Sequence, residues 1–82
     1  MKEGWYVYIV RCVDESLYTG VAKDVKMRVD QHNAGKGAKY TRSRLPVKLV
    51  HYESVADRGS ALRREYEIKR MTRERKWQLI AG

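Results

Sequence analysis

The first patterned segment is Trp5-Tyr6-Val7-Tyr8-Ile9-Val10-Arg11-Cys12, dense in β-branched and aromatic residues. It predicts a strand. A period of two puts Tyr6, Tyr8, Val10 and Cys12 on one face and Ile9 on the other. Asp14-Glu15-Ser16 is a turn cluster, and Leu17-Tyr18-Thr19-Gly20-Val21 completes a hairpin. Gly20 weakens a strand, so it marks a bulge or a close backbone approach. Asp24 is a good N-cap for a helix running to about Asn33, with Gly35 just beyond its end. Residues 35–46 read as a loop closed by Pro46, and Val47 to Glu53 alternates as a third strand. Asp57 caps a second helix reaching about Met71, and Thr72 caps a last short one ending near Ile80. The order ββαβαα predicts an α+β fold with a three-stranded antiparallel sheet flanked by helices.

Two helices carry charge where apolar residues are expected. At about 100° per residue, Glu65 falls in the middle of the apolar arc made by Ala61, Ile68, Leu62 and Tyr66. Lys69 lies one turn below it, while Arg63, Glu67 and Arg70 take the opposite face. A carboxylate on a buried face is costly unless paired or bound to a metal. One reading is an internal Glu65–Lys69 pair. The other is a metal ligand, since Mg²⁺ often takes only one or two carboxylates and completes its shell with water and phosphate. In the first helix Arg28 and His32 share the stripe of Val25 and Val29. They are either an arginine stem covering the core edge beside a neutral histidine, or a guanidinium aimed at a phosphate with an imidazole within a turn. The hairpin can bring Tyr18 to the Tyr8 face, and a phenol can hydrogen-bond an attacking water or a phosphate oxygen.

Composition narrows the class. The chain has 82 residues, 18 Lys+Arg against 10 Asp+Glu, a net charge of +8, and 43% hydrophobic residues. That length predicts one domain over residues 1–82, and the apolar content excludes a disordered basic tail. One cysteine excludes an internal disulfide and a cysteine zinc cluster. The apolar run from Trp5 is too short for a signal-peptide core or a membrane span, so a reduced cytoplasmic setting is expected. No acidic residue stands between Asp30 and Glu53, whereas Lys36, Lys39, Arg42, Arg44 and Lys48 do, interleaved with Tyr40, Thr41 and Ser43. Lys and Arg hold phosphate charge, hydroxyls donate to phosphate oxygens and tyrosine stacks on bases. Lys36, Lys39, Tyr40, Thr41, Arg42, Arg44 and Lys69 are therefore the candidate nucleic-acid contacts. The plainer reading of the same charge is a solvated basic surface.

Tyr6-Val7-Tyr8, Tyr18-Thr19-Gly20, Arg28 in Lys26-Met27-Arg28, His32 in Gln31-His32-Asn33, and Glu65 within Ala61-Leu62-Arg63-Arg64-Glu65-Tyr66-Glu67-Ile68-Lys69 occur in this order. In this the sequence resembles a GIY-YIG nuclease domain over about residues 4–77. It is most similar to the small stand-alone bacterial proteins of that superfamily, which share the loop Gly35-Lys36-Gly37-Ala38-Lys39-Tyr40-Thr41. The resemblance implies the three-stranded sheet and metal-dependent hydrolysis of phosphodiester bonds. By carry-over Glu65 would hold Mg²⁺ or Mn²⁺ and Tyr8 would orient or deprotonate the attacking water. Tyr18 and Arg28 would hold the scissile phosphate, and His32 would relay a proton. Tyr6 stands where the first half-motif has glycine, Thr19 where the second has isoleucine, and Val21 where excision-repair relatives carry lysine. Most proven family nucleases add a separate DNA-binding domain, so selection is expected from this chain's own surface or a protein partner.

The leading expectation is an endonuclease on DNA, branched or damaged forms included, in preference to RNA, with no membrane partner. A nucleic-acid-binding module of the same fold with little or no catalysis is the alternative, and a basic face for an acidic protein is the third.

Overall fold

A computed structural model describes residues 4–82; the first three residues of the predicted domain lie outside them. The apolar run Trp5–Arg11 forms β1, the central strand, with the highest density of buried residues in the sheet. Leu17–Ala22 forms β2 and Lys48–Val55 forms β3, both antiparallel to β1, in the order β2-β1-β3. The hairpin register sets Tyr8 opposite Gly20 and Val10 opposite Tyr18. Glu15, with a φ of 72°, turns the connection. Gly20 therefore sits in regular pairing, and the irregularity falls elsewhere: β1 and β3 slip register between Ile9 and Val10, where Ile9 faces His51 and Val10 faces Leu49. Val50 is the extra residue of that bulge.

Helix α1 covers Val25–Asn33 and α3 covers Arg58–Lys69; a single turn, α2, covers Lys39–Arg42, and α4 covers Arg73–Ala81. The three caps expected from sequence are in place. The side chains of Asp24, Asp57 and Thr72 accept from the backbone N–H of Met27, Ser60 and Arg75 at 3.0, 2.7 and 3.1 Å. The α+β class and the flanked antiparallel sheet are as expected. The corrections are local. A helical turn interrupts the predicted loop, β3 extends to Val55, and α3 stops at Lys69. One turn of helix has no periodicity to read.

The sheet separates two cores. On one face Val7 and Ile9 pack with Ala61 and Ile68 of α3, and Leu17, Val21, Val50, Met71 and Leu79 close around them. On the other face Tyr8, Val10, Cys12 and Val47 pack beneath Val25 and Val29 of α1, with Tyr18 and Leu49. The side chain of Asn33 ties α1 to the start of β3. Its Nδ2 donates to the Val47 carbonyl at 3.0 Å and its Oδ1 accepts the Val47 N–H at 2.7 Å. The buried stripe of α3 is narrower than the wheel suggested, since Leu62 and Tyr66 are exposed.

Candidate active site

Tyr8 is placed by β1, with its ring laid across the cross-strand Gly20. A Cβ at residue 20 would come within 2.5 Å of the Tyr8 hydroxyl. That is the reason for a glycine inside β2: it makes room for a phenol, where sequence suggested a backbone approach or a bulge. The Tyr8 hydroxyl lies 2.8 Å from Nε2 of His32. His32, fully buried on the inner face of α1, has its Nδ1 2.8 Å from Oγ1 of Thr41. Thr41 in turn donates its hydroxyl to the Ala38 carbonyl at 2.9 Å. Four groups from β1, α1 and the 35–46 segment thus form one buried polar chain.

The electrostatics follow from burial. Desolvation pushes the Tyr8 phenol above its ordinary range, opposed by the adjacent Arg28 and reinforced by Tyr18 and Glu65. Desolvation holds the His32 imidazole below its usual range, and the Arg28 charge acts in the same direction. At neutral pH the pair is a neutral phenol beside a neutral imidazole. Arg28 is half-buried and also donates to Gln31 Oε1 at 3.0 Å.

Tyr18 lies edge-on to His32, with ring centres 5.4 Å apart. It stacks on Tyr40 at 6.0 Å, and the Lys69 ammonium sits 5.8 Å above its ring. Lys69 bonds Glu65 at 3.1 Å, and the Glu65 side chain is 19% exposed. α3 packs on the opposite face of the sheet, so Lys69 and Glu65 join the Tyr8 face through Tyr18 of the edge strand β2. Tyr8, Tyr18, Arg28, His32 and Glu65, distant in sequence, are thus brought to one end of the domain. The internal Glu65–Lys69 pair read from the wheel is present. Among the described residues no three His, Cys, Asp or Glu side chains converge. The oxygen donor available is the single Glu65 carboxylate, a set that suits a hard cation otherwise held by water and phosphate.

The basic segment divides. Lys36, Lys39 and Arg42 are exposed and outward. Arg44 is occupied: it lies 4.0 Å over the Tyr40 ring, pairs with Asp14 at 3.1 Å and donates to the Tyr40 carbonyl. The fold thereby returns an acidic residue to a stretch that has none in sequence. Thr41 corrects the expectation most. It is fully buried and turned to His32, so it is not a surface contact for a nucleic acid. The role of Gly37 escaped sequence reasoning: a Cβ there would overlap the His32 ring. So did the Asn33 clamp. The only sequence signal for either was a glycine and an asparagine flanking the histidine helix.

Two tyrosines, a buried histidine and a half-buried arginine on two strands and a helix, with a glutamate arriving from the far side of the sheet, define a class. The chain belongs to the GIY-YIG family: the family model described as the GIY-YIG catalytic domain matches residues 4–78. Within that family it is similar to small proteins named UPF0213. The one from Haloquadratum walsbyi is 62% identical over 79 residues, covering 96% of this chain and 89% of the relative. One from Staphylococcus aureus is 59% identical over 75 residues, covering 92% of each. The solution structure of the UPF0213 protein of Bacillus halodurans is also similar, with a TM-score of 0.62, 46% identity, and coverage of 96% of this chain and 84% of that one.

Proposed function

We propose that this chain is a divalent-metal-dependent endonuclease that hydrolyses phosphodiester bonds in DNA. The observation that carries the reading is the buried Tyr8–His32 hydrogen bond, with Arg28 against the phenol and Glu65 within its electrostatic reach. In this mechanism the Tyr8 oxygen orients the attacking water. As the water adds to phosphorus, its proton passes to the Tyr8 oxygen, and the phenol proton passes to Nε2 of His32, which burial keeps unprotonated and ready to accept. The Tyr18 hydroxyl and the Arg28 guanidinium hold the scissile phosphate, and Arg28 offsets the charge that builds there. Glu65 would hold Mg²⁺ or Mn²⁺ in exchange for the Lys69 ammonium, and such an ion supplies Lewis-acid stabilisation of the leaving oxygen.

Lys36, Lys39 and Arg42 are the outward cations suited to grip the flanking backbone. The fuller form of the reading is a cytoplasmic nuclease for branched or damaged DNA, in a repair setting, guided by this surface or by a protein partner. Among the described residues no helix is long and apolar enough to cross a membrane. The test is a cleavage panel over duplex, single-strand, flap and junction substrates with Mg²⁺ or Mn²⁺. Wild type is expected to cut, and Glu65→Ala to bind without cutting. No cleavage by wild type, or equal cleavage by the variant, overturns the reading.

The Glu65–Lys69 pair favours a second reading, a binding module with little turnover, because the ammonium already satisfies the carboxylate. Val21 agrees with it, since that residue packs into the α3 core where excision-repair relatives have a lysine. Steeply salt-dependent binding with no cleavage under any metal would select it.

A further inference from the structure

Thr41 touches neither water nor any group expected to meet a substrate, yet it completes the polar chain behind Tyr8. Its hydroxyl has a single proton. Oγ1 lies 2.9 Å from the Ala38 carbonyl oxygen, a contact that is attractive only if the hydroxyl donates there. Oγ1 can then meet Nδ1 of His32, 2.8 Å away, only as an acceptor, so the hydrogen sits on Nδ1 and Nε2 carries a lone pair. The other end of the chain agrees. His32 Nε2 is the hydrogen-bond partner of the Tyr8 oxygen, and the nearby Arg28 guanidinium cannot accept. The phenol proton therefore points to Nε2 at 2.8 Å. No buried side-chain nitrogen or oxygen among the described residues lacks a partner, so this one orientation satisfies every member.

We propose that Thr41 is a positioning residue that holds His32 as the Nδ1–H tautomer, keeping Nε2 open for the proton of Tyr8. The free imidazole side chain prefers the opposite tautomer, so the fold must impose this one. Gly37 is the second part of the seat, since a side chain there would drive the ring off Thr41. The segment predicted to grip DNA through Lys36, Lys39 and Arg42 thus also carries, on its inner side, the group that sets the histidine. The proposal rests on the reading of His32 as the acceptor of the Tyr8 proton.

The test is nitrogen NMR of the two histidines in the intact ¹⁵N-labelled protein at about pH 8, above the ordinary imidazole range. His51, the other histidine, is assigned with a His51→Gln variant. Wild-type His32 is expected to show a protonated Nδ1 and an unprotonated Nε2. Thr41→Ser should keep that signature, and Thr41→Val should lose it toward the Nε2–H form. If Thr41→Val does not fold, Thr41→Ala makes the same comparison. An Nε2–H imidazole in wild type, an unchanged signature without the hydroxyl, or failure of serine to preserve it overturns the proposal. In the cleavage assay, Thr41→Val should lower kcat roughly 10–100-fold with nucleic-acid binding unchanged, and Thr41→Ser should restore it. Absence of cleavage in wild type would sink the nuclease reading and leave the tautomer measurement to decide this one.

Discussion

The two faces of this sheet solve opposite problems with the same strand. Toward α3, β1 presents Val7 and Ile9, both fully buried against Ala61 and Ile68. Each large aliphatic there contributes about 1.5–3 kcal/mol by leaving water. Toward α1, β1 presents Tyr8, and the neighbouring His32 and Thr41 are buried just as deeply. Polar groups at that depth are costly unless bonded. They are tolerated because each satisfies the next, down to the Ala38 carbonyl. One face holds the fold together, and the other holds a proton donor and acceptor dry, aligned and neutral. Damage to the first should appear in stability, and damage to the second in chemistry.

The sharpest break in that comparison is Tyr8→Phe. It removes one hydroxyl from the α1 face and keeps the ring over Gly20. Cleavage should fall roughly 10²–10⁴-fold, with a far smaller change in melting temperature; equal losses in both would erase the distinction. Ile9→Ala is the converse on the α3 face. It should cost about 2–5 kcal/mol in a denaturant titration while the folded fraction keeps its activity and its affinity. Unchanged stability would mean that this side of the sheet is not the structural one.

Acid should separate the faces by pH window. The folded-state His32 is held below its ordinary 6.5 by burial. Its contribution is therefore complete above that value and is lost as pH falls through the depressed one. Glu53 is held below its ordinary 4.5, chiefly by its paired bonds from Arg64. That contribution is lost only in stronger acid, where Asp14 and Asp57, also held low by hydrogen bonds, add to it. Melting temperatures across pH should thus decline first from the α1 side, with His32→Gln flattening that limb and Glu53→Gln flattening the lower one. A His32→Gln profile identical to wild type would refute the assignment. The smallest effect lies outside both cores. If Arg42 meets one phosphate, Arg42→Ala should reduce the salt slope of DNA binding by about 0.7–0.9, with no change in melting.

The elements were legible because their signals are local. Asp24, Asp57 and Thr72 each announced a helix by a cap that the fold uses. The alternation of β1 separated Tyr8 from Ile9 before any contact was known. Glu65 and His32 stood out as charge or imidazole on apolar stripes. What could not be read is what depends on contacts across the chain. Thr41 looked like a surface hydroxyl in a basic loop, and only the folding back of α2 onto α1 turns it inward. Arg44 looked free until the hairpin turn delivered Asp14. Gly20 is odd in a strand from sequence alone, but its reason is a side chain on the next strand. Leu62 and Tyr66 have the period of a buried face and remain outside it, because α3 meets the sheet along a narrow seam.

The register slip at Ile9 and Val10 has a bearing on which length changes this lineage can tolerate. Above the bulge, His51, Glu53 and Val55 stand opposite Ile9, Val7 and Trp5; below it, Leu49 stands opposite Val10. Val50 is the extra residue between the two stretches, itself leaning toward α3 while Leu49 and Val47 serve α1. Deleting that one residue would close the bulge into regular alternation, with His51 still opposite Ile9 and Leu49 still opposite Val10. What would go is the local bend and the Val50 contact in the α3 core. Loss of one residue from β3 is therefore expected to be tolerated at position 50 ahead of the paired positions on either side, where it would shift one half by a place and turn its side chains over.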